Sequence, residues 1–365
     1  MTRIVHVITS LAIGGAERML QRLVAEHRRS DNVDSVIISL TGDGIIGREL
    51  REAGFRVEVI GLRFGLTGLG AFIRLVKLLR ALRPDVVQTW LYHSDLIGGL
   101  AARIAGVRTI IWNIRSVVSG SNRLTLGLVR VNAWASRVLP SSIICCGVAA
   151  RDYHVSLGYD AQRIVVLPNG YDMEHFAPRP ACTDRNPNQP MVIAIGRNDA
   201  LKDYPTFIRA IRIAAEQIPG LKAEIHGRGC GKDPALVELA RKAGLASIMT
   251  FHDETDDVRG PLSRADVYCL SSTSEGFPNA VAEAMAMGVP CVVTDAGDAG
   301  IIVGDTGVVV PVSDEKALAA GLVRIAGLAE HDYRRLSHLA RSRIGKHYEM
   351  GHVAKLYFNH YRNFV

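Results

Sequence analysis

A chain of 365 residues exceeds what one hydrophobic core usually organises, and at roughly 100 to 200 residues per domain it divides naturally into two. The composition, 48% hydrophobic and 22% charged, is that of an ordinary soluble globular protein; its six cysteines (Cys145, Cys146, Cys182, Cys230, Cys269, Cys291) have no Cys-x-x-Cys spacing, which argues against a disulfide framework or structural zinc and for buried thiols in a reducing compartment. The net charge of +7 is one-sided, since residues 1–180 hold 22 Lys and Arg against 14 Asp and Glu while residues 181–365 hold 21 against 22.

The opening run MTRIVHVITSLAIGG reads as a buried strand, too short to span a bilayer and without a small-residue cleavage site. A cytoplasmic protein is expected. The next loop, SLAIGGAE (10–17), leads into a helix over 15–29. Its Gly14 and Gly15 let backbone approach a ligand where helix N–H groups and the dipole favour anions, although a tight turn alone also asks for glycine. After a second strand, DSVIIS, the segment GDGIIG (42–47) matches G-x-G-x-x-G. That fingerprint belongs to the first strand of a dinucleotide fold, so in this position it reads as a strand-to-helix turn. The strands RVEVIG, DVVQTW and TIIWNI complete the first series. Between them, AFIRLVKLLRALR (71–83) sets Arg74, Lys77, Arg80 and Arg83 beside Phe72, Leu75, Val76, Leu78, Leu79 and Leu82. Such a basic amphipathic helix suits an anionic membrane surface, as does RLTLGLVRVNAWASR (123–137), but packing on a sheet is the preferred reading of both.

The segment APRPACTDRNPNQP (177–190) is polar and Pro-rich, as linkers are. The expected domains are therefore 1–176 and 177–349, with a helix over 350–365 able to return to the first. The second series runs MVIAIG, KAEIHG, SIMTFH, ADVYCL and PCVVTD, with a helix in DYPTFIRAIRIAAEQIP (203–219). Strands alternating with helices predict two α/β, Rossmann-like, doubly wound parallel sheets. GRGCGK (227–232) lacks the spacing and the Ser/Thr of a Walker loop. Arg197 and Lys202 follow the strand MVIAIG, at the carboxyl end where open α/β sheets bind ligands, and together they suit a diphosphate. Alone, such a pair is usually surface decoration. Downstream of ADVYCLSS, Glu275 and Glu283 flank the loop Gly276, Phe277, Pro278, Asn279 and a helical AVAEAMAMG. A helix start facing phosphate, with a carboxylate on each side for hydroxyls, is one reading; capping and surface pairing are the other.

Together these segments resemble the retaining family-4 glycosyltransferases of the GT-B fold, in which two Rossmann-like domains face a cleft. The resemblance rests on GGAER (14–18), PNGYD (168–172), IGRNDALKDYPTFIRA (195–210), SEGFPNAVAEAMAMGVPCVVTDAGD (274–298) and GDTGVVV (304–310). It implies that Arg197 and Lys202 hold a donor diphosphate and Glu283 the ribose. Glu275 with Gly276, Phe277, Pro278 and Asn279 would hold the sugar and distal phosphate, and Gly15 would approach from the other domain. Retention of configuration, a UDP-sugar donor in preference to a GDP-sugar, and bacterial cell-surface polysaccharide or O-antigen synthesis follow as expectations. The chain departs from the family where many members carry a histidine near the reacting sugar, since Asn113 stands there in WNIR. His93 in WLYHSD is the candidate for that contact, or else a structural histidine. Arg115 meets an acceptor phosphate or solvent.

The absence of a D-x-D motif agrees with metal-independent chemistry, so neither metal nor cofactor is expected beyond the nucleoside-diphosphate sugar itself. The basic first half suits a glycan or lipid-diphosphate-linked acceptor and a peripheral position on the inner face of the cell membrane. It equally suits a solvated surface. Nucleic acid is disfavoured for want of a motif. Two rival functions stay open, a nucleotide-sugar epimerase of the same architecture and a non-catalytic nucleotide-sugar binding protein.

Overall fold

The structure, a computed structural model, describes residues 1–29, 33–62, 67–117, 123–178, 185–186, 188–255 and 257–365. Cys182 and part of the 177–190 segment lie outside the described residues. The chain forms two compact units, Met1–Gly170 with Met350–Val365, and Tyr171–Glu349.

The first unit runs β1 (Thr2–Ile8), α1 (Gly15–Arg29), β2 (Val33–Ser39), α2 (Gly44–Glu52), β3 (Arg56–Val59), α3 (Thr67–Leu82), β4 (Val86–Trp90), α4 (Tyr92–Ala105), β5 (Thr109–Ile114), α5 (Arg123–Ala135), β6 (Ser142–Cys145), α6 (Val148–Ser156) and β7 (Ile164–Val166). These strands make one parallel sheet in the order β3-β2-β1-β4-β5-β6-β7. Their β-branched runs are buried because helices cover both faces. Within this core, α1 buries Met19, Leu20, Leu23 and Val24 and sets Arg28 and Arg29 at its carboxyl end, where the helix dipole favours positive charge.

The second unit runs β8 (Met191–Ile195), α7 (Tyr204–Ala215), β9 (Lys222–His226), α8 (Pro234–Lys242), β10 (Met249–His252), α9 (Arg259–Leu262), β11 (Val267–Leu270), α10 (Asn279–Ala286), β12 (Cys291–Thr294), α11 (Ala299–Val303), β13 (Val308–Val310), α12 (Glu315–Ala326) and α13 (Glu330–His347). Its parallel sheet has the order β10-β9-β8-β11-β12-β13. Asp203, Asp233 and Asp314 cap α7, α8 and α12, each carboxylate accepting a backbone N–H of the first turn. The carboxyl-terminal α14 (Met350–Arg362) belongs to the first unit. It buries Met350, Val353, Ala354, Tyr357 and Tyr361 in the core that contains β1 and α1, and the Thr109 hydroxyl donates to the Phe364 carbonyl at 3.0 Å.

The units divide at 170/171, six residues before the expected 176/177. Composition points to the polar run as the boundary, but the segment before it is already packed in the second unit. Tyr171 and Phe176 are buried there, and Arg341 donates to the carbonyls of Met173 (2.8 Å) and Phe176 (2.7 Å). Arg185, inside the supposed linker, is anchored there too, over the Tyr333 ring at 4.4 Å and donating to the Leu328 carbonyl at 2.8 Å. Three strands, β6, β7 and β13, are absent from the sequence reading; at three or four residues they offer too little alternation to separate from loop. The five described cysteines are buried and free of disulfides.

Candidate functional site

In a doubly wound sheet, the crevice opens outside the carboxyl ends of two neighbouring strands whose connections leave in opposite directions. The strand orders put that switch point between β1 and β4 in the first unit and between β8 and β11 in the second.

At the β8/β11 point the chain leaves β8 through Gly196 and Arg197, and a single 3₁₀ turn, Ala200–Lys202, brings Lys202 back. The Lys202 ammonium donates to the Glu275 carboxylate at 2.6 Å, and the Ser272 hydroxyl donates to the same oxygen at 2.7 Å. Both charged side chains are about four-fifths buried, at 21% and 16% exposure, a setting in which ion pairing is far stronger than at a surface. Four backbone features hold this pair. A Cβ on Gly297, at φ +60°, would lie 2.1 Å from the Glu275 carbonyl oxygen, so that position requires glycine, and one on Gly196 would lie 2.7 Å from Lys202 Cε and push the lysine side chain aside. The Ser271 hydroxyl donates to the Lys202 carbonyl at 2.6 Å, and Asp203 adopts a left-handed φ of +45° to start α7. Arg197 is looser, largely exposed and 3.6 Å from Asp199.

Gly276, Phe277 and Pro278 lead into α10. No side chain caps its start, which leaves first-turn N–H groups and the positive end of the helix dipole toward the loop. The Tyr171 hydroxyl donates to Asn279 Oδ1 at 2.7 Å, and Phe277 packs edge-on against Tyr348. Glu283 is half-buried one turn further on, on the same helix face as Asn279. The second unit thus gathers Arg197, Lys202, Glu275, the 276–279 loop and Glu283 at one switch point. Sequence reasoning does not single out Ser272 and Gly297, which fix Glu275, because a serine hydroxyl is commonplace and glycine acts here only through its lack of a side chain.

At the β1/β4 point lie the Gly14–Gly15 loop and His93. Gly14 has a local explanation, because its Cβ would meet the Glu17 carboxylate at 2.3 Å. Glu17 is itself buried, and desolvation raises its pKa. Gly15 is exposed at the start of α1. In GDGIIG, Gly44 at φ +63° packs on the Leu11 carbonyl, where a Cβ would come within 2.1 Å, so the motif braces the first loop. His93 sits half-buried in the first turn of α4, its pKa lowered by burial, so the ring is neutral near pH 7. Immediately before this turn, Leu91 holds a φ of +73°, a conformation strained for a branched side chain. Its N–H donates to the Asn113 carbonyl at 3.3 Å. Asn113 is fully buried, and Arg115 is turned inward, donating to Asn113 Oδ1 at 3.3 Å and to the Tyr357 hydroxyl at 3.0 Å with its guanidinium 5.6 Å from the Trp90 ring. The contacts of these two side chains are internal to the unit, beneath the His93 turn.

A family model described as Glycosyltransferase Family 4 matches residues 13–175, and one described as Glycosyl transferases group 1 matches residues 189–327. EpsF of Bacillus subtilis strain 168 is 25% identical over 316 residues, covering 80% of this chain and 79% of that one. The UDP-Gal:alpha-D-GlcNAc-diphosphoundecaprenol alpha-1,3-galactosyltransferase of Escherichia coli is 25% identical over 270 residues, 70% of each chain. Among solved structures, Anabaena Alr3699/HepE in complex with UDP superposes with a TM-score of 0.84 at 19% identity, over 100% of both chains.

Proposed function

We propose, from the premise that this chain belongs to the family-4 and group-1 glycosyltransferases of the GT-B fold, that it moves a hexosyl group from a UDP-sugar to a lipid-diphosphate-linked glycan, with retention of configuration and without a metal. The observation that carries this reading is the convergence of Arg197, the Lys202–Glu275 pair and the uncapped start of α10 on one switch point.

The chemistry asks for charge neutralisation on a departing diphosphate rather than for a protein nucleophile. The acceptor hydroxyl attacks the face the leaving group departs from, and the donor phosphate oxygen takes its proton. Arg197 grips phosphate oxygens bidentately, Lys202 adds a compact charge, and the α10 amides bind the distal phosphate. As phosphate draws Lys202 away, the Glu275 carboxylate becomes available to the sugar hydroxyls. Glu283 takes the ribose hydroxyls. His93, neutral and beside the strained Leu91, contacts the sugar or acceptor, with Gly14 and Gly15 at the neighbouring loop. Asn113 and Arg115 support that turn from beneath. UDP is favoured because the Escherichia coli relative is named for UDP-Gal and Alr3699/HepE is solved with UDP and with UDP-glucose. The lipid-diphosphate acceptor is supported by the same relative and by the basic first half.

We place the protein at the cytoplasmic face of the membrane, held by α5. No described helix is long and apolar enough to cross a membrane. The helix α3 spends its apolar stripe on the core, burying Leu75, Val76, Leu79 and Leu82. In contrast, α5 and the turn after it leave Val131, Trp134 and Val138 exposed at 49%, 72% and 64%, at helical spacing and interleaved with exposed Arg130 and Arg137. Between Asp95 and Asp152 the chain has seven arginines and no acidic residue. An exposed indole among aliphatic and cationic side chains suits the headgroup boundary of an anionic bilayer.

A thermal-shift panel of UDP- and GDP-sugars tests the donor, since a ligand at 100 times its Kd stabilises by about 2.7 kcal/mol. Stabilisation by GDP-sugars alone overturns the UDP assignment. Epimerised sugar formed without acceptor replaces transfer by epimerisation, and donor binding without turnover on any lipid-linked acceptor favours a binding protein. Equal donor binding and turnover in Glu275→Ala, Lys202→Ala and the parent would refute the site.

A further inference from the structure

We propose that Glu224, His226 and His252 form a binding site for one divalent ion of the zinc class, separate from the donor residues. Among the described residues these three are the single grouping of His, Cys, Asp or Glu donors close enough to share an ion, their ligand atoms lying within 4.8 Å of one another. The sheet builds the grouping directly. In the parallel pair β9/β10, Glu224 registers with Thr250 and His226 with His252. Ala223, Ile225 and Met249 face the apolar core, so the alternation of the strands sends Glu224, His226 and His252 together to the opposite face.

Two imidazoles and a carboxylate, with a fourth position open to water, are a donor set that zinc favours over calcium or magnesium, which prefer all-oxygen shells. His226 Nε2 stands 2.7 Å from Glu224 Oε2, and both side chains are close to nine-tenths buried, at 7% and 13% exposure. The fold thus holds these two groups side by side, and a bound ion would replace the hydrogen bond between them. His252 is exposed at the rim, stacked on His226 with ring centroids 4.4 Å apart and 11° between planes. A metal lies in the plane of each imidazole it binds, so capture requires His252 to turn about its side-chain bonds and give up a 3.2 Å contact with Thr250. The half-exposed Arg264 guanidinium, 2.7 Å from Glu224 Oε2, occupies the carboxylate as a competing cation and must swing aside. Affinity is therefore modest, and Arg264 sets it. Occupancy would stiffen the strand end from which the His226 carbonyl accepts the Gly196 N–H at 2.9 Å, next to Arg197.

The test is a titration of the full chain with Zn²⁺ against a chromophoric chelator, for the parent, His252→Gln, Arg264→Ala and, as control, the exposed His331→Gln. One zinc per chain is expected in the parent. His252→Gln should weaken it at least tenfold, Arg264→Ala should tighten it several-fold, and His331→Gln should leave it unchanged. His252 is exposed, so its variant keeps the fold, verified by circular dichroism. Absence of a one-to-one site in the parent, or equal affinity in the parent and His252→Gln, overturns the proposal.

Discussion

Replacing Lys202 by Met keeps the length of the side chain and removes its charge, which isolates the electrostatic role proposed for it. In the structure the ammonium lies 2.6 Å from Glu275, with both groups about four-fifths buried. The bare Coulomb attraction at an effective dielectric of 20 is about 6 kcal/mol, and desolvation offsets most of it. Removing one partner strands the other charge, which costs about 3–5 kcal/mol in a fully buried pair and so about 2–3 kcal/mol for this one. A domain of this size loses roughly 2–4 °C in Tm per kcal/mol, so Lys202→Met should melt visibly earlier. Its kcat should fall by about 10²- to 10³-fold, the usual effect of removing one stabiliser of developing charge. The double variant Lys202→Met/Glu275→Gln separates the two roles. With neither charge left unpaired, stability should return most of the way to the parent, while turnover stays low because neither phosphate nor sugar is held. Differential scanning calorimetry and a steady-state transfer assay at saturating donor give both numbers. A Lys202→Met turnover within about threefold of the parent refutes the catalytic assignment. A double variant no more stable than the single one refutes the ion-pair reasoning.

Four further outcomes are expected. Gly297→Ala forces a Cβ to 2.1 Å from the Glu275 carbonyl at a φ of +60°, so it should destabilise by more than about 1 kcal/mol and raise the donor KM; an unchanged melt and KM would show that the loop yields freely. Burial lowers the pKa of His6 to about 3 and of His27 and His154 to about 4, so unfolding releases rings that take up protons below about pH 6.5. Stability should therefore drop between pH 6.5 and 4 by up to about 1.4 kcal/mol per pH unit for each ring, and urea midpoints that stay level from pH 7 to pH 5 would contradict this. Trp134→Ser should reduce sedimentation with anionic vesicles at low salt several-fold, with little change on zwitterionic vesicles; no binding by the parent removes the α5 assignment. Dialysis against EDTA should leave kcat unaltered, and a tenfold loss restored by Mg²⁺ or Mn²⁺ would show that a metal shares the neutralising role of Arg197, Lys202 and α10.

Where the placement of a loop depends on which strand it follows, the sequence is readable. The runs MVIAIG and ADVYCL end at β8 and β11, and the strand order makes these neighbours at the reversal of the sheet, so residues 197–202 and 275–283 converge although about 75 positions separate them. No local pattern reveals that β8 and β11 are adjacent. The α/β alternation did so indirectly, by admitting few topologies. Placement that depends on tertiary packing is not legible in local composition. The run 177–190 has the composition of a linker, yet Arg185 is anchored by carbonyls and the Tyr333 ring, contacts that composition does not encode. Glu224 and His226 share one face of β9, but His252 joins them only through the register of β9 and β10, which no local pattern reveals.

On the proposed function, the acceptor side leaves a weaker mark in sequence than the donor side. A diphosphate demands cations and helix amides, which are conspicuous residue types at conspicuous positions. An acceptor hydroxyl demands only that a polar group be aimed well. In this chain the start of α4, which carries His93, is set by backbone: Leu91, an ordinary leucine in sequence, adopts a φ of +73° at the end of β4, and its N–H donates to the Asn113 carbonyl. Asn113 stands where a family histidine was expected, but its main chain holds Leu91 while its side chain is pinned by Arg115, which Tyr357 of α14 pins in turn. Strain of this kind persists only where surrounding packing over-determines it. Tyr357, Arg115, Asn113 and Leu91 thus form one continuous run of contacts from the carboxyl-terminal helix to the turn that carries His93. The carboxyl-terminal helix returns to the first unit because it buries Met350, Val353, Ala354, Tyr357 and Tyr361 in that unit's core, and Tyr357 also begins this run of contacts.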